Sequence, residues 1–473
     1  MTPGEVEHIV KFGFPKALDA GILNHVTIEP QACRDGVMSR RKKQFLKAMV
    51  ANEQGEFFDL NGYAAVGMAG RNLIPLLEGE TIRMPFGGEH LFLPDRRPIV
   101  CNTSTGEFEV LTENPYTPGE PVYPVAAFNA PGHMICLVSA YAEEPHATTL
   151  PLFSFGAVGW LKGRSRVAAI QVDRERRQDL RLMSPDKIVE GVFRVRQVMP
   201  SNRLRTHLET CALTYGCPAA KNFFLGRYEG PLPTSMHCNA RCRGCLSLQQ
   251  DTDIPSTQER IDFTPTPDEI AEIALYHIGR TERAVVSFGQ GCEGEPLLAA
   301  EVIGPAIRLI RKATQQGTIH MNTNASLPSV LERLFEAGLD SIRVSMNSVR
   351  ESCYGTYFRP KGYTFDDVVE SIELAGRKGK FVSMNYLNLP GFTDAKPEVA
   401  ALLSFLKNHP VHMIQWRNLN FDPVRYWQIM SNKAPEPELI GMGRLLAKIR
   451  ETFPELKFGY FNPPKEKFGG YRS

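Results

Sequence analysis

The sequence predicts an α/β protein: a partial (β/α)6 TIM-like barrel with an N-terminal β-rich α+β domain. Three observations carry this expectation. Through the second half of the chain, short β-rich runs alternate with amphipathic helical patterns at about the spacing of a βαβ unit, which calls for parallel strands and right-handed crossovers. The first 200 residues instead show short apolar stretches broken by turn chemistry. Three cysteines in "HCNARCRGC", residues 237–245, follow the first run of the second half, on the face where such barrels place their chemistry.

Taken in order, residues 1–205 read as a mainly β accessory domain. Leu60-Asn61-Gly62-Tyr63, Phe86-Gly87-Gly88 and Ser104-Thr105-Gly106 are its turns, and residues 40–50 its one good helical pattern. Residues 206–229 read as a connector and 230–455 as the barrel. Its first strand is expected near 231–235. The helix after it starts at Thr266, where Thr266 and Glu269 can form a capping box and Pro267 suits the first helical position. Ile270, Ile273, Ala274, His277 and Ile278 then lie along one face, and Gly279 offers a stop. Further strands are expected at 284–288, 318–323, 341–345, 381–387 and 411–417. Helices are expected at 302–313, 328–337, 365–377 and 397–407, with Gly317 closing the first. Residues 456–473, rich in Pro, Gly and Lys, read as a tail lying on the surface or disordered.

Composition excludes several classes. The 473 residues are 42% apolar and 22% charged, which is ordinary for a globular protein. No apolar run is long enough for a membrane span, and the N-terminal stretch lacks the apolar core of a secretory signal, so a cytoplasmic protein is expected. In a reducing compartment ten cysteines argue for metal or redox chemistry where they cluster, rather than for disulfides. A net charge of +2 gives no reason to expect a nucleic-acid partner, and Arg40-Arg41-Lys42-Lys43 reads as a solvated helix face rather than a phosphate contact. His25, His90 and His146 have no metal-ligand spacing.

Three thiols on one loop suit zinc or an iron–sulfur cluster. A structural zinc site commonly pairs two C-x-x-C arms, and no second arm is present. Three cysteines are what a [4Fe–4S] cluster needs if its fourth iron is left open. The spacing C-x3-C-x2-C at the first strand of a partial barrel resembles the radical SAM superfamily, and later strand ends continue the resemblance. In "SFGQGCEGEPLL", Gly294-Glu295-Pro296 is similar to the motif that binds the methionine ammonium of S-adenosylmethionine (SAM). Asn322-Thr323-Asn324 is similar to the polar tip that meets the ribose hydroxyls. Ser345 in "RVSMNS" matches a position that contacts SAM, with Asn347 where many members have an acid. Arg359 in "YFRPKGYTFDDV" is the candidate for the SAM carboxylate, and Pro390-Gly391 in "NLPGFTD" for the wall near the adenine. One departure is Gly244, where the family usually has a bulky residue before its last cysteine.

The resemblance implies that Cys238, Cys242 and Cys245 hold a [4Fe–4S] cluster, and that SAM is cleaved reductively to a 5′-deoxyadenosyl radical that abstracts hydrogen from a substrate. It also implies an electron donor such as a flavodoxin or ferredoxin. It leaves the substrate open: a small molecule is favoured, a peptide, protein or RNA is the alternative, and a non-catalytic iron–sulfur or zinc protein the distant one. On the substrate side, Gln415 and Arg417 of "IQWRN" should share one face of the sixth strand opposite Trp416, with Asn385 on the fifth. Arg417 would suit a carboxylate or phosphate. There are no cysteines after Cys353, which argues against a cysteine-rich C-terminal extension. Cys211 and Cys217 are the best alternative for a second cluster, although buried structural thiols are the favoured reading, and Cys292 sits inside the SAM-type loop. The N-terminal region is expected either to close over the barrel mouth or to stabilise its open side.

Overall fold

The computed structural model describes residues 44–249, 254–431 and 438–469. Seven parallel strands form one sheet, paired in sequence order: Glu229–Pro231, Val285–Phe288, Thr318–Thr323, Ser341–Met346, Phe381–Asn388, Met413–Asn418 and Lys457–Gly459. Val285–Phe288 is buried at every position, as a strand covered on both faces must be. The sheet curls into a half-barrel flanked by helices.

Several elements lie where the pattern puts them. The helix Pro267–Arg280 starts on a complete capping box, with Thr266 Oγ1 accepting from the Glu269 amide at 3.2 Å and the Glu269 carboxylate accepting from the Thr266 amide at 2.8 Å. Pro328–Ala337 and Phe365–Arg377 match the periodicity at both ends, the second again on a capping box. Gly317 adopts φ +70°, a conformation that only glycine enters freely.

Other elements differ. The first strand is short and precedes the expected position, and a seventh strand, Lys457–Gly459, forms inside the stretch read as a tail. Helices Glu351–Phe358, Pro423–Ser431 and Met442–Thr452 were not expected. The first two are rich in aromatic and β-branched residues of modest helix propensity, so tertiary packing decides them. Residues 185–225, divided in sequence between the β domain and a connector, form three helices: Pro185–Val198, Arg203–Leu213 and Pro218–Leu225.

The N-terminal region is a twelve-stranded antiparallel sheet. The helical expectation over 40–50 is corrected: Lys47–Ala51 is a strand paired with Phe57–Ala69 and Tyr123–Phe128. Four of its five residues are buried, and a short run apolar on both faces carries no period to tell strand from helix. Residues 40–43, His25 and Cys33 lie outside the described residues. No described helix is long and apolar enough to cross a membrane.

The N-terminal region packs on the end of the sixth barrel strand, partly through a separate two-stranded ribbon, His133–Ile135 with Ala169–Gln171. Asn418 accepts from the Ile135 amide and donates to the His133 carbonyl, both at 2.9 Å. Just beyond, the fully buried Asp422 meets the fully buried Arg96 at 3.2 Å and accepts from the Leu150 amide at 3.0 Å. Removing Asp422 leaves Arg96 with Glu143, at 3.1 Å, but takes away its one fully buried counter-charge and an acceptor of the Leu150 amide. Asp422→Ala should therefore destabilise the chain by about 3–5 kcal/mol, read as a lower chemical-denaturation midpoint. Lys396→Ala, which breaks the exposed pair with Glu438, should cost less than about 1 kcal/mol.

Candidate functional site

The site forms where two loops interlock. After the first strand, Thr234 and Ser235 donate their amides to one oxygen of Glu293, at 2.7 and 3.0 Å, while Gln290 donates to the other at 2.6 Å. The Gly294 amide then donates to Ser235 O at 2.7 Å and the Glu295 amide to His237 O at 2.8 Å. The contact is so close that a Cβ on Gly294 would lie 2.0 Å from the His237 carbonyl oxygen. The cysteine loop and the Gly294 loop thus move as one piece.

The cysteine loop is pinned on its other side by the helix Glu351–Phe358. Arg241 and Arg243 donate their amides to Phe358 O at 3.0 Å and Tyr357 O at 3.1 Å, and Lys361 donates back to Asn239 O at 2.8 Å. The bulky residue absent at Gly244 has a physical substitute here, because a Cβ on Gly244 would meet the Tyr357 hydroxyl at 2.6 Å and Asn420 O at 2.9 Å. Tyr357 fills that space from the helix.

Cys238 and Cys242 line a cavity of about 320 Å³. Burial and the Glu295 carboxylate push the Cys238 thiol up to about 11. Burial and the two neighbouring thiols push Cys242 up as well. Arg260 donates to Cys245 Sγ at 3.5 Å. Cys238 and Cys242 are desolvated and each is opposed by the charge of its neighbouring thiols, which makes the loop a poor site for free thiolates and a good one for a soft cationic centre, whose charge would offset both burial and repulsion. The donor set fits an iron–sulfur cluster.

Glu295, Thr323 and Asn324 come together as the sequence suggests. Glu295 is buried and accepts from the Leu297 amide at 3.1 Å, the Asn324 amide at 2.8 Å and the Thr323 hydroxyl. Burial pushes its carboxyl up to about 7. Glu293, the other acid of the loop, is used up by three backbone amides. Asn324 is oriented by Asn239, to whose Oδ1 it donates at 2.8 Å, and Asn322 donates to Phe288 O at 3.1 Å. Pro296 and Ser345 also line the cavity.

The structure places other candidates elsewhere. Arg359 is not among the cavity-lining residues and donates through Nε to Arg241 O at 2.5 Å. Asn347 is fully buried against Tyr426 and Cys353 O. Gly391, at φ +88°, abuts the N-terminal sheet, where its Cβ would fall 2.0 Å from Gly70 N. Its turn is thus part of the domain contact.

On the far wall, parallel register aligns Ser345, Asn385 and Gln415 in one layer. Gln415 and Arg417 line the cavity while Trp416, fully buried, packs edge-on against Tyr386 and Phe458, as strand alternation requires. Gln415 is already engaged, accepting from Arg343 Nη1 at 2.5 Å and donating to Tyr460 O at 2.8 Å. Asn385 Oδ1 is buried without a partner. Arg343, Glu229 and Asn462 also line the cavity and were missed. Alternation from Ser345 back to Arg343 would have found the first; Asn462 was hidden because its stretch reads as a tail.

Residues 232–403 match the radical SAM superfamily model. They are a radical SAM domain. Family members bind a [4Fe–4S] cluster and SAM, as the site's donor set suits. Among curated proteins, the chain is 24% identical over 235 residues to molybdenum cofactor biosynthesis protein 1 of Drosophila melanogaster, covering 49% of this chain and 38% of that one. It is 29% identical over 172 residues to GTP 3′,8-cyclase of a Cyanothece strain, covering 35% and 49%. The chain spans about a third to a half of the length of these relatives. Among solved structures, a radical SAM methyltransferase from Sphaerobacter thermophilus aligns at TM-score 0.36 and 16% identity, over 49% of this chain and 65% of that one.

An ammonium can pair with Glu295 only when the carboxyl is ionised, so if Glu295 is the partner of the SAM ammonium, as the family resemblance implies, SAM affinity should rise with pH through about 7. In the free protein the sign is opposite. A raised carboxyl contributes stability at pH below its ordinary 4.5, and that contribution is lost as pH rises through about 7. Glu295→Gln should flatten the binding profile, and Glu295→Ala should weaken SAM binding by about 1.5–3 kcal/mol with the cluster retained, both measured by anaerobic calorimetry.

Proposed function

We propose that this protein is a radical SAM enzyme acting on a small, anionic substrate held in the cavity below the cysteine loop. The observation that supports this most is the shared cavity: two of the three thiols, Glu295 and Arg417 all face one space of about 320 Å³, within the size range of small-molecule sites. When bound, the cluster and SAM supply the reductive cleavage that yields a 5′-deoxyadenosyl radical. A flavodoxin or ferredoxin is the class of donor we assign to the electron, and the cytoplasm the compartment.

The chain's own residues bind and orient. Cys238, Cys242 and Cys245 hold the iron, and Arg260 offsets negative charge at Cys245. Glu295 receives the ammonium, while Asn324 and Thr323 set the rim where a ribose would lie. Arg359 lies beside the cysteine loop and is kept as the candidate for the SAM carboxylate. Arg417 presents a planar fork to the lumen for a carboxylate or phosphate, and Asn385 offers an acceptor for a substrate hydroxyl or amine. Several relatives are named for GTP, a phosphate-bearing substrate. That fits an anion site at Arg417 and does not identify the substrate here. The N-terminal region, anchored at Asn418 and Asp422 beyond the sixth strand, closes one side of the mouth.

The experiment is anaerobic reconstitution followed by assay for 5′-deoxyadenosine. Iron and sulfide at about four each per chain, with 5′-deoxyadenosine released on reduction, support the reading; zinc uptake alone at the three-thiol loop overturns it. Cys238→Ala, Cys242→Ala and Cys245→Ala should each abolish the cluster. Arg417→Ala should keep the cluster and SAM binding but lose substrate-dependent turnover by at least tenfold, with Arg417→Lys intermediate because it keeps charge and loses the fork.

A further inference from the structure

A second group of soft ligands lies outside the cavity just described. The helix Arg203–Leu213 carries His207 and Cys211 one turn apart, so both side chains share a face. His207 Nε2 lies 3.5 Å from Cys211 Sγ. Cys292 approaches from the loop after the second barrel strand, and the three ligating atoms lie within 4.8 Å of one another. Gly291 and Gly294 on either side of Cys292 line the cavity, but the thiol is directed to the helix. Cys211 and Cys292 are buried and His207 half-buried.

Both carriers are fixed independently of these three side chains. The helix begins on Asn202, whose Oδ1 accepts from the Arg205 amide at 3.0 Å and whose Nδ2 donates to Glu269 O at 3.0 Å and the Glu272 carboxylate at 2.7 Å. Arg205 and Glu209 form a buried pair on the same helix, with Arg205 also donating to Met199 O at 2.8 Å. On the other side, Cys292 O accepts from the Ile261 amide at 2.8 Å, and the next residue, Glu293, is locked by three backbone amides. Three ligands delivered by two rigid supports amount to a preformed site, in contrast to thiols on a loose segment.

We propose that His207, Cys211 and Cys292 bind a zinc ion that ties the helix Arg203–Leu213 to the Gly294 loop. Metal geometry supports the choice. With Zn–N near 2.0–2.1 Å and Zn–S near 2.3 Å, a tetrahedral ion sets nitrogen and sulfur about 3.5 Å apart and two sulfurs about 3.8 Å apart. The His207–Cys211 separation is already 3.5 Å. One imidazole and two thiolates form a donor set that zinc favours over hard cations, which take oxygen. The three side chains leave one tetrahedral position for water or a small ligand. Cys292 stands three residues before Glu295, so the ion would hold in place the loop that presents Glu295 to the cavity. The site rests on the geometry of these three residues and stands whether or not the cavity takes the proposed substrate.

The test uses the full-length chain with Cys238, Cys242 and Cys245 all replaced by Ala, so that metal at the cluster loop cannot contribute. The protein is prepared anaerobically with a phosphine reductant and titrated with cobalt(II), which reports tetrahedral thiolate ligation by its absorption spectrum. We expect one cobalt per chain with thiolate charge-transfer and tetrahedral ligand-field bands, displaced by one equivalent of zinc(II). Adding His207→Ala, Cys211→Ala or Cys292→Ala should each weaken cobalt binding at least about 100-fold, the upper end of what losing an outer-sphere partner costs. Cys136→Ala should leave it unchanged. Zinc-edge absorption of the zinc-loaded parent should show two sulfur ligands and an imidazole, a readout that needs no ligand variant to fold. An octahedral or absent cobalt spectrum, uptake insensitive to all three substitutions, or a Cys211–Cys292 disulfide in the anaerobic chain would overturn the proposal.

Discussion

The backbone lock between the first two strand-end loops is the constraint on which the site depends. The pairings of Gly294 N with Ser235 O and Glu295 N with His237 O fix where the cysteine loop lies relative to the carboxyl that faces the cavity. Glu293 completes the lock by accepting from Thr234, Ser235 and Gln290 with its buried carboxyl. A carboxylate in that position replaces the water that three buried amides would otherwise need, so its burial is compensated where an unpaired acid's would not be. The glycine follows from the same geometry: at 2.0 Å from the His237 oxygen there is no room for any side chain at 294. Two adjacent acids in one loop therefore serve unlike ends. Glu293 builds the loop, and Glu295 is presented by it.

The N-terminal sheet matters for the same reason of placement. A half-barrel has open sides, and here the N-terminal region is bonded to the end of the sixth strand through Asn418, which holds the ribbon strand His133–Ile135, and to the helix beyond through Asp422, which meets Arg96 of the large sheet. Arg417 immediately precedes Asn418. The contact that docks this ribbon therefore also fixes the backbone that carries the lumen-facing guanidinium. The C-terminal stretch contributes from below, where Asn462 donates to Glu229 at 2.7 Å and accepts from Arg343.

Part of the barrel was legible because some of its helices carry a start or a stop of their own. Thr266 with Glu269 and Gly338 at φ +119° after Pro328–Ala337 are local devices that no distant contact has to supply. That the cysteine loop, Glu295 and Asn324 come together was legible because the motifs they resemble follow a fixed order along successive strands. What stayed hidden depends on tertiary contact. Lys457–Gly459 is three residues long and becomes a strand only by pairing with Met413–Asn418. Lys47–Ala51 is apolar on both faces, so neither a helical nor a strand period marks it. Glu351–Phe358 holds its aromatic residues against Tyr363, Phe365 and Tyr426, partners that sequence spacing does not reveal.

The far wall of the cavity shows how two arginines in one space come to differ. Arg343 is fully enclosed, donating to Gln415 and Asn462 with Glu229 close by, and burial pulls it down to about 10. Both of its terminal nitrogens are engaged by the protein, while Nε is buried without a partner, so it acts as a strut between the fourth and sixth strands and the C-terminal stretch. Arg417 sits higher on the sixth strand and is only half-buried. Its charge adds to the burial that pulls Arg343 down. Among the described residues no carboxylate pairs with it, so its fork is left to face the lumen. Two guanidinium groups of like charge in a partly desolvated space repel, and an anion entering beside Arg417 would relieve that repulsion as well as satisfy the fork. Selectivity of this wall for a negatively charged group would thus draw on both arginines, although the terminal nitrogens of Arg343 are already held by the protein.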